Sequence, residues 1–359
     1  MKSGVFIVLY DEATLKLYLS KGVYGFLMSP IYGKVPLRSR HYQALGDYAC
    51  IREETHIFFF LKRKIYYGGQ ALGSGSHAAF YLNGQYSPLG KKAKANLCWD
   101  ESKRKIYKPT DKPGIFELEK RGRYVRSCQP YLIRFEDNSG LKGKAIGSDE
   151  LYFELGRFPY PLPTNTISGM SFCTMTPGEV SIALKLIERS DEKINIETDE
   201  NIELTEDPLS FTPSLGFRSI KEAMEQAENE AHLEALLLAS PSIWPEDIRP
   251  TGDYVLCRQV PMSPFKPPQW IDKANICIYQ DPLINNGTIP STILELKVRR
   301  VSNKDVAQVV KYAKWLDIIL NDKASQIKFF LCGPSFARNI EINIPDEYRG
   351  QIKLVKLGD

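Results

Sequence analysis

Pro290-Ser291-Thr292-Ile293-Leu294-Glu295-Leu296-Lys297-Val298 is the stretch on which the reading of this chain turns. As a β-strand it alternates faces, so Ile293, Glu295 and Lys297 point one way while Leu294, Leu296 and Val298 point the other. An acid and a lysine therefore share a face of a mostly apolar strand. An isolated buried charge costs several kcal/mol, roughly, unless a partner or a metal ion meets it. Upstream, Trp270-Ile271-Asp272-Lys273-Ala274-Asn275-Ile276-Cys277-Ile278-Tyr279 reads as the neighbouring strand and carries a second acid, Asp272. Two carboxylates suit a hard cation such as Mg²⁺, and a lysine beside them can orient a water or stabilise developing charge. The same spacing also fits a surface strand bearing a Glu-Lys pair.

The flanks add to the pattern. Asp305 to Leu316 reads as a helix on which Gln308 and Tyr312, four apart, are neighbours that look back toward the strands. Before the strands, residues 219–240 read as one helix, with Ser219 as N-cap and Glu222 three residues on. Ala223, Ala227, Leu233, Leu236 and Leu237 form its stripe. Glu230 and Glu234 are four apart on it; they repel modestly unless a cation lies between them, or else they form a solvated acidic face.

That order, Glu230 and Glu234 with leucines, then Ile271-Asp272, then Glu295-Leu296-Lys297, then Gln308 and Tyr312, resembles the C-terminal domain of NucS-type endonucleases. Those belong to the PD-(D/E)XK, or restriction-endonuclease-like, superfamily, and the similarity covers about residues 228–318. It implies an α/β domain with a central mixed sheet over 215–359. It further implies Asp272, Glu295 and Glu230 as ligands of Mg²⁺ (with Mn²⁺ able to substitute), Lys297 and Gln308 as further catalytic residues, and DNA as the substrate. Glu234 is the alternative to Glu230 in the metal shell. Tyr312, Arg258, Arg299, Arg300 and Lys311 are the expected nucleic-acid contacts. Where the family shows Gly-Arg before Ile-Asp, this chain has Gln269-Trp270.

Composition agrees with a folded chain of two domains: 359 residues, 43% hydrophobic and 25% charged. The net charge of +4 is unevenly spread. Residues 1–187 hold 27 basic and 16 acidic side chains, and 188–230 hold 4 and 13. A basic front half suits a polyanion. Residues 188–214, acidic and poor in large apolar side chains, read as a linker. Seven scattered cysteines with no CxxC pair argue against zinc and a disulfide framework, and fit a reducing cytoplasm. No 18-residue apolar run and no signal peptide is seen, so no membrane partner is expected.

Residues 1–187 are rich in β signals. A strand and one amphipathic helix open the chain. Thr55 to Phe60 and Ile65 to Tyr67 are aromatic and β-branched runs, Ala79 to Leu82 ends at the hairpin-like Asn83-Gly84, and Tyr131 to Phe135 is another strand. A Gly46-Asp47 turn, an aromatic strand, a hairpin and Gly68-Gly69 resemble the small β-barrel of PUA-like EVE and YTH domains. Such barrels hold an unpaired or flipped base against aromatic faces. Tyr66, Tyr67, Tyr81, Asn83 and Trp99 are the pocket residues this implies, with core packing as the competing role. The chain as a whole is expected to be α+β: a base-reading barrel joined to a metal-dependent DNA endonuclease of restriction or defence type. A DNA or RNA reader with a structural nuclease-like half is the alternative. Cutting both strands of a duplex would favour a homodimer.

Overall fold

The computed structural model describes residues 1–28, 43, 46–72, 80–82, 107–109, 116–118, 128–156, 172–197, 219–262, 272–280 and 289–358. Its fold is α+β, with a curled half-barrel sheet in the front half and a second, mixed sheet in the back half. In chain order the front half contributes β1 (Gly4–Val8), α1 (Glu12–Lys21), β2 (Val23–Met28), β3 (His56–Leu61), β4 (Lys64–Ala71), β5 (Phe80–Leu82), β6 (Tyr107–Pro109) and β7 (Phe116–Leu118). It continues with β8 (Cys128–Glu136), β9 (Ala145–Gly147), α2 (Ser148–Leu155), β10 (Phe172–Met175) and α3 (Pro177–Arg189). The sheet runs β10-β1-β3-β4-β8-β2, with β5 on β8 and β9 on β4, while β6 and β7 pair apart.

Local chemistry explains these elements. Asp11 caps α1 by accepting the Thr14 N–H at 2.7 Å, and Gly22 ends it at φ 62°. The β3–β4 turn places Lys62 and Arg63 at φ 49° and 64°, the left-handed pair that matches strand twist, although neither is glycine or asparagine. In β4 the register skips, Ile57 facing Gly69 and Phe58 facing Tyr67, so Gly68 is the extra residue of a bulge. A Cβ on Gly69, at φ 147°, would sit 2.2 Å from the Glu136 carbonyl oxygen. The bulge lets the start of β4 pair with β9 and its end with β8, which curls the sheet. After α3, residues 190–197 run back along this sheet, with a bridge from Lys193 to Lys144 and Ile194 and Ile196 packed on the core.

The back half is built from α4 (Ile220–Gln226), α5 (Glu230–Ala239), β11 (Val255–Pro261), β12 (Lys273–Tyr279), β13 (Thr292–Leu296), α6 (Asn303–Leu320), β14 (Lys328–Gly333) and β15 (Ile352–Lys356). The sheet order is β11-β12-β13-β14-β15, antiparallel up to β13 and parallel beyond it. The single helix expected over 219–240 is two helices. Ala227 leaves helical geometry at ψ 120°, and Asn229 starts a second helix by accepting the His232 N–H. Alternation in β13 places Leu294 and Leu296 in one core and Ile293 in another.

Helix α5 is buried on every side from His232 to Ala239 because it lies between the two halves. One core joins Val5, Leu19 and Phe59 of the front half to Leu236, Leu294 and Phe330 of the back. A second core lies beneath α6, where Val309 and Leu316 meet Cys277, Ile293 and Phe329. Cys50, Cys173, Cys257, Cys277 and Cys332 are free and buried. Among the described residues no helix is long and apolar enough to cross a membrane.

Candidate active site

Where β13 ends, it delivers Glu295 and Lys297 into the interior, 2% and 6% exposed. The Lys297 ammonium donates to Glu295 Oε1 at 2.7 Å and reaches Glu230 Oε2, on the first turn of α5, at 3.2 Å. The other Glu295 oxygen, Oε2, is buried and has no hydrogen-bond partner. Burial pushes the Glu295 carboxyl up to about 7, against the pull of Lys297. Lys297 also loses hydration, yet Glu295 and Glu230 together hold it above the usual lysine range. Of the three groups, Glu230 alone is substantially open to solvent.

The strands part at this point, and side chains take over from backbone. The β12–β13 ladder runs from Ile278 paired with Thr292 to Ile276 paired with Leu294. One residue further, the Leu296 N–H donates at 2.8 Å to the side-chain oxygen of Asn275. The same amide group offers its nitrogen to Glu230 Oε1 at 3.4 Å and to Glu234 Oε2 at 3.3 Å. Across the sheet, Gln259 adopts φ 52° and donates to Glu234 Oε2 at 2.8 Å. Glu234 is completed by Arg258 Nε at 2.7 Å, and Arg258 Nη1 reaches Asp47 at 2.8 Å. All three members of that ion triad are essentially sealed from solvent. A Cβ on Gly46 would meet Arg258 Nε at 2.7 Å, so the absence of a side chain there is what admits the guanidinium. Gly46 and Asp47 belong to a helical turn at residues 46–49.

Asp272, immediately before β12, is engaged by Lys311 of α6 at 2.5 Å. Gln308 donates to the Tyr312 hydroxyl, which in turn donates to the Lys273 carbonyl at 3.2 Å. Burial raises the Tyr312 phenol, and so do the charges of Glu295, Asp272 and Glu230. As arranged, these carboxylates are served by two lysines, and among the described residues no three acidic, histidine or cysteine side chains group closely enough to hold a metal ion.

The remaining expected residues divide by burial. Arg258, read as a nucleic-acid contact, is buried between Asp47 and Glu234, where no phosphate reaches it. Tyr312, read likewise, is buried beneath the site. Arg299 and Arg300 are exposed, the first paired with Asp305 at 3.1 Å and the second donating to the Phe336 carbonyl at 3.1 Å. In the front half Tyr67 is core: 1% exposed, edge-on to Phe58, and sharing a 2.9 Å hydrogen bond with His56 Nδ1. Tyr66, on the opposite face, packs partly buried against the main core. Tyr81 lies in β5, while Asn83 and Trp99 lie outside the described residues. The like-charge pair Glu230 and Glu234 turns out to be served by separate cations, Lys297 and Arg258. Asn275, Gln259 and Asp47 were not foreseen as parts of the site; a lone Asn inside the apolar run of β12 was the one legible hint. Nothing matches this chain in comparisons with family models, curated proteins and solved structures.

Proposed function

We propose that the chain is a divalent-cation-dependent endonuclease acting on DNA, with its site at the parted ends of β12 and β13. The observation that carries this reading is Glu295: a carboxylate 2% exposed, with one oxygen unpartnered, beside a buried lysine that also meets Glu230. A buried carboxylate oxygen without a donor is costly. An oxygen-only donor set, Glu295 and Asp272 with Glu230, suits a hard cation such as Mg²⁺, with Mn²⁺ as substitute. Such a cation, when bound, would polarise the phosphoryl group and acidify a water. Glu230 suits the role better than Glu234, whose carboxylate is consumed by Arg258, Gln259 and Asn275. The Lys297 ammonium, held between Glu295 and Glu230, is placed to stabilise charge developing on the phosphate oxygens. Gln308 and Tyr312 position rather than react: they fix the backbone at Lys273, next to Asp272. The element order α5, β11–β13, α6, β14 supports a restriction-endonuclease-like architecture for the back half.

The front half is proposed as the nucleic-acid reader, selecting DNA by an unpaired or modified base. The burial of Tyr67 leaves that selection to other residues. A second reading, a nucleic-acid binder whose back half is structural, is favoured by one observation: the carboxylates are already neutralised by Lys297 and Lys311. Cleavage of matched modified and unmodified duplexes in Mg²⁺, with RNA as competitor, separates them. Asp272→Asn and Lys297→Met are expected to lose about a hundredfold or more in rate while still binding DNA. Cleavage at the parent rate by either variant overturns the nuclease assignment.

A further inference from the structure

A cavity of about 430 Å³ lies where the front half meets the start of β11, and none of the described residues that line it belongs to the Glu295 site. The bulge in β4 builds one wall. Without the extra residue Gly68, His56 would face Gly69; with it, His56 faces Gln70, and imidazole and carboxamide stand side by side on one face. His56 is 8% exposed and shares its Nδ1 with the Tyr67 hydroxyl at 2.9 Å, so among the described residues Nε2 is left unengaged. Burial and the nearby charge of Lys2 hold the imidazole down at about 4, so at neutral pH it offers one donor and one acceptor. Gln70 is little used by the fold: its side-chain contact, to the Glu54 carbonyl, is 3.5 Å long. Half-buried Tyr254 adds an aromatic side chain to the lining.

Arg52 supplies the cation. Its guanidinium is fixed by main-chain carbonyls: Nη1 donates to Ala49 and Ile51, and Nη2 donates to Leu238 of α5 at 3.0 Å. Two of its five N–H donors remain, and among the described residues no carboxylate pairs with it. Loss of hydration pulls it below the usual arginine range, a cost that an anion at its free donors would offset. The loop that carries Arg52 is pinned by Glu54, which holds φ 65° and donates its N–H to the Ala71 carbonyl at 3.0 Å. The acids on the lining, Glu53, Glu54 and Asp253, are exposed, where water screens them more than it screens Arg52.

We propose that this cavity binds a single nucleotide, its phosphate on Arg52 and its base against His56, Gln70 and Tyr254. A phosphate matches the free guanidinium donors, and the imidazole and carboxamide match the adjacent donor and acceptor of a base edge. The cavity is far larger than a lone phosphate needs and lies in the range of small-molecule sites. The nucleotide comes either from solution or as an unpaired residue of a strand, which present the same chemistry. The site goes beyond the cleavage reading above and needs no metal.

Isothermal titration calorimetry on the full chain in EDTA tests it, with the common ribo- and deoxyribonucleoside 5′-monophosphates as probes. The best of them is expected to bind about tenfold tighter than its own nucleoside and than inorganic phosphate, the scale of one hydrogen bond to a charged group. No saturable binding by any monophosphate overturns the proposal. Binding no tighter than inorganic phosphate makes the cavity a bare anion site, and binding no tighter than the nucleoside removes Arg52 from it; either overturns the proposal too. Gln70→Leu deletes a side chain the fold hardly uses, and is expected to weaken the monophosphate about tenfold while leaving inorganic phosphate unchanged. An unchanged monophosphate affinity refutes the site. Because Arg52 also ties down three carbonyls, a readout on the parent replaces its variant: the long-range ¹H–¹⁵N signal of His56 is expected to shift on saturation with the monophosphate. A stationary His56 signal refutes the placement. Competition by a duplex with one unpaired nucleotide, against the same duplex fully paired, names the source. Stronger competition by the unpaired duplex supports a strand nucleotide, and equal competition supports a free one. With metal absent throughout, failure here and loss of Mg²⁺-dependent cleavage are separate results.

Discussion

Replacing Arg258 by Met removes the one cation between two buried carboxylates, and the structure sets the size of the loss. Asp47 and Glu234 receive the guanidinium at 2.8 and 2.7 Å, and neither side chain is more than 1% exposed. Breaking a buried pair by deleting one partner costs about 3–5 kcal/mol. The stranded acids can escape by taking up protons. Protonating both at pH 7 costs about 8 kcal/mol from ordinary carboxyl values, and about 2 kcal/mol at pH 5. The loss is therefore expected to reach several kcal/mol at pH 7, a large share of a typical domain's stability, and to be capped near 2 kcal/mol at pH 5. Urea unfolding at the two pH values reads it through the midpoint at constant slope. The neutral variant combining Arg258→Met with Asp47→Asn and Glu234→Gln is expected to recover most of the loss. It also tests what Arg258 does for nucleic acid. Were Arg258 to neutralise a phosphate, its removal would lower the slope of log affinity against log salt by about 0.9, whereas the triad reading expects no change. A loss below about 1 kcal/mol at pH 7, or an equal loss at both pH values, refutes the reasoning.

Three further outcomes follow from the same packing. Because Glu295 titrates near 7 instead of its ordinary 4.5, the folded chain binds more protons between those values. Its contribution is complete below the lower value and is lost as pH rises to the upper. Without metal, Glu295→Gln should remove that decline, so its melting temperature gains on the parent's as pH goes from 5 to 7.5; a constant gap between the two would contradict it. Asn275→Ala leaves the Leu296 N–H without its acceptor and should cost about 1–3 kcal/mol in urea unfolding. Restored stability in Asn275→Asp would show that the carbonyl acceptor, not the amide donor to Glu230 and Glu234, carries the effect. Tyr67→Phe deletes the hydroxyl bonded to His56 and should cost about 1 kcal/mol with DNA affinity unchanged, whereas a selective loss of DNA binding would return Tyr67 to the base-reading role.

Much of the back half was legible in the residues alone because its signals are local. Alternation over Ile293 to Val298 assigned Glu295 and Lys297 to one face, and the two cores on either side of β13 follow that division. Ser219 and Glu222 announced a helix start, and Ser219 does accept the Glu222 N–H at 3.3 Å. Gln308 and Tyr312, four apart, do meet. The same local logic ran one helix through Ala227, because the apolar spacing continues across the point where Asn229 caps a second helix.

What spacing does not encode is which distant group answers a buried charge. Arg258 looked like a surface cation because nothing nearby in sequence pairs with it; its partner Asp47 stands 211 residues away. The choice between Glu230 and Glu234 was undecided for the same reason, since it depends on Gln259 turning inward at positive φ and on Asn275 standing where two strands separate. The sequence by itself determined the faces, the helix start at Ser219 and the residue types suited to a cation, all set by neighbours within four positions. Only the tertiary structure decided which acid is consumed by an arginine and which keeps an unpartnered oxygen, because those outcomes belong to contacts that form when the two sheets close on α5.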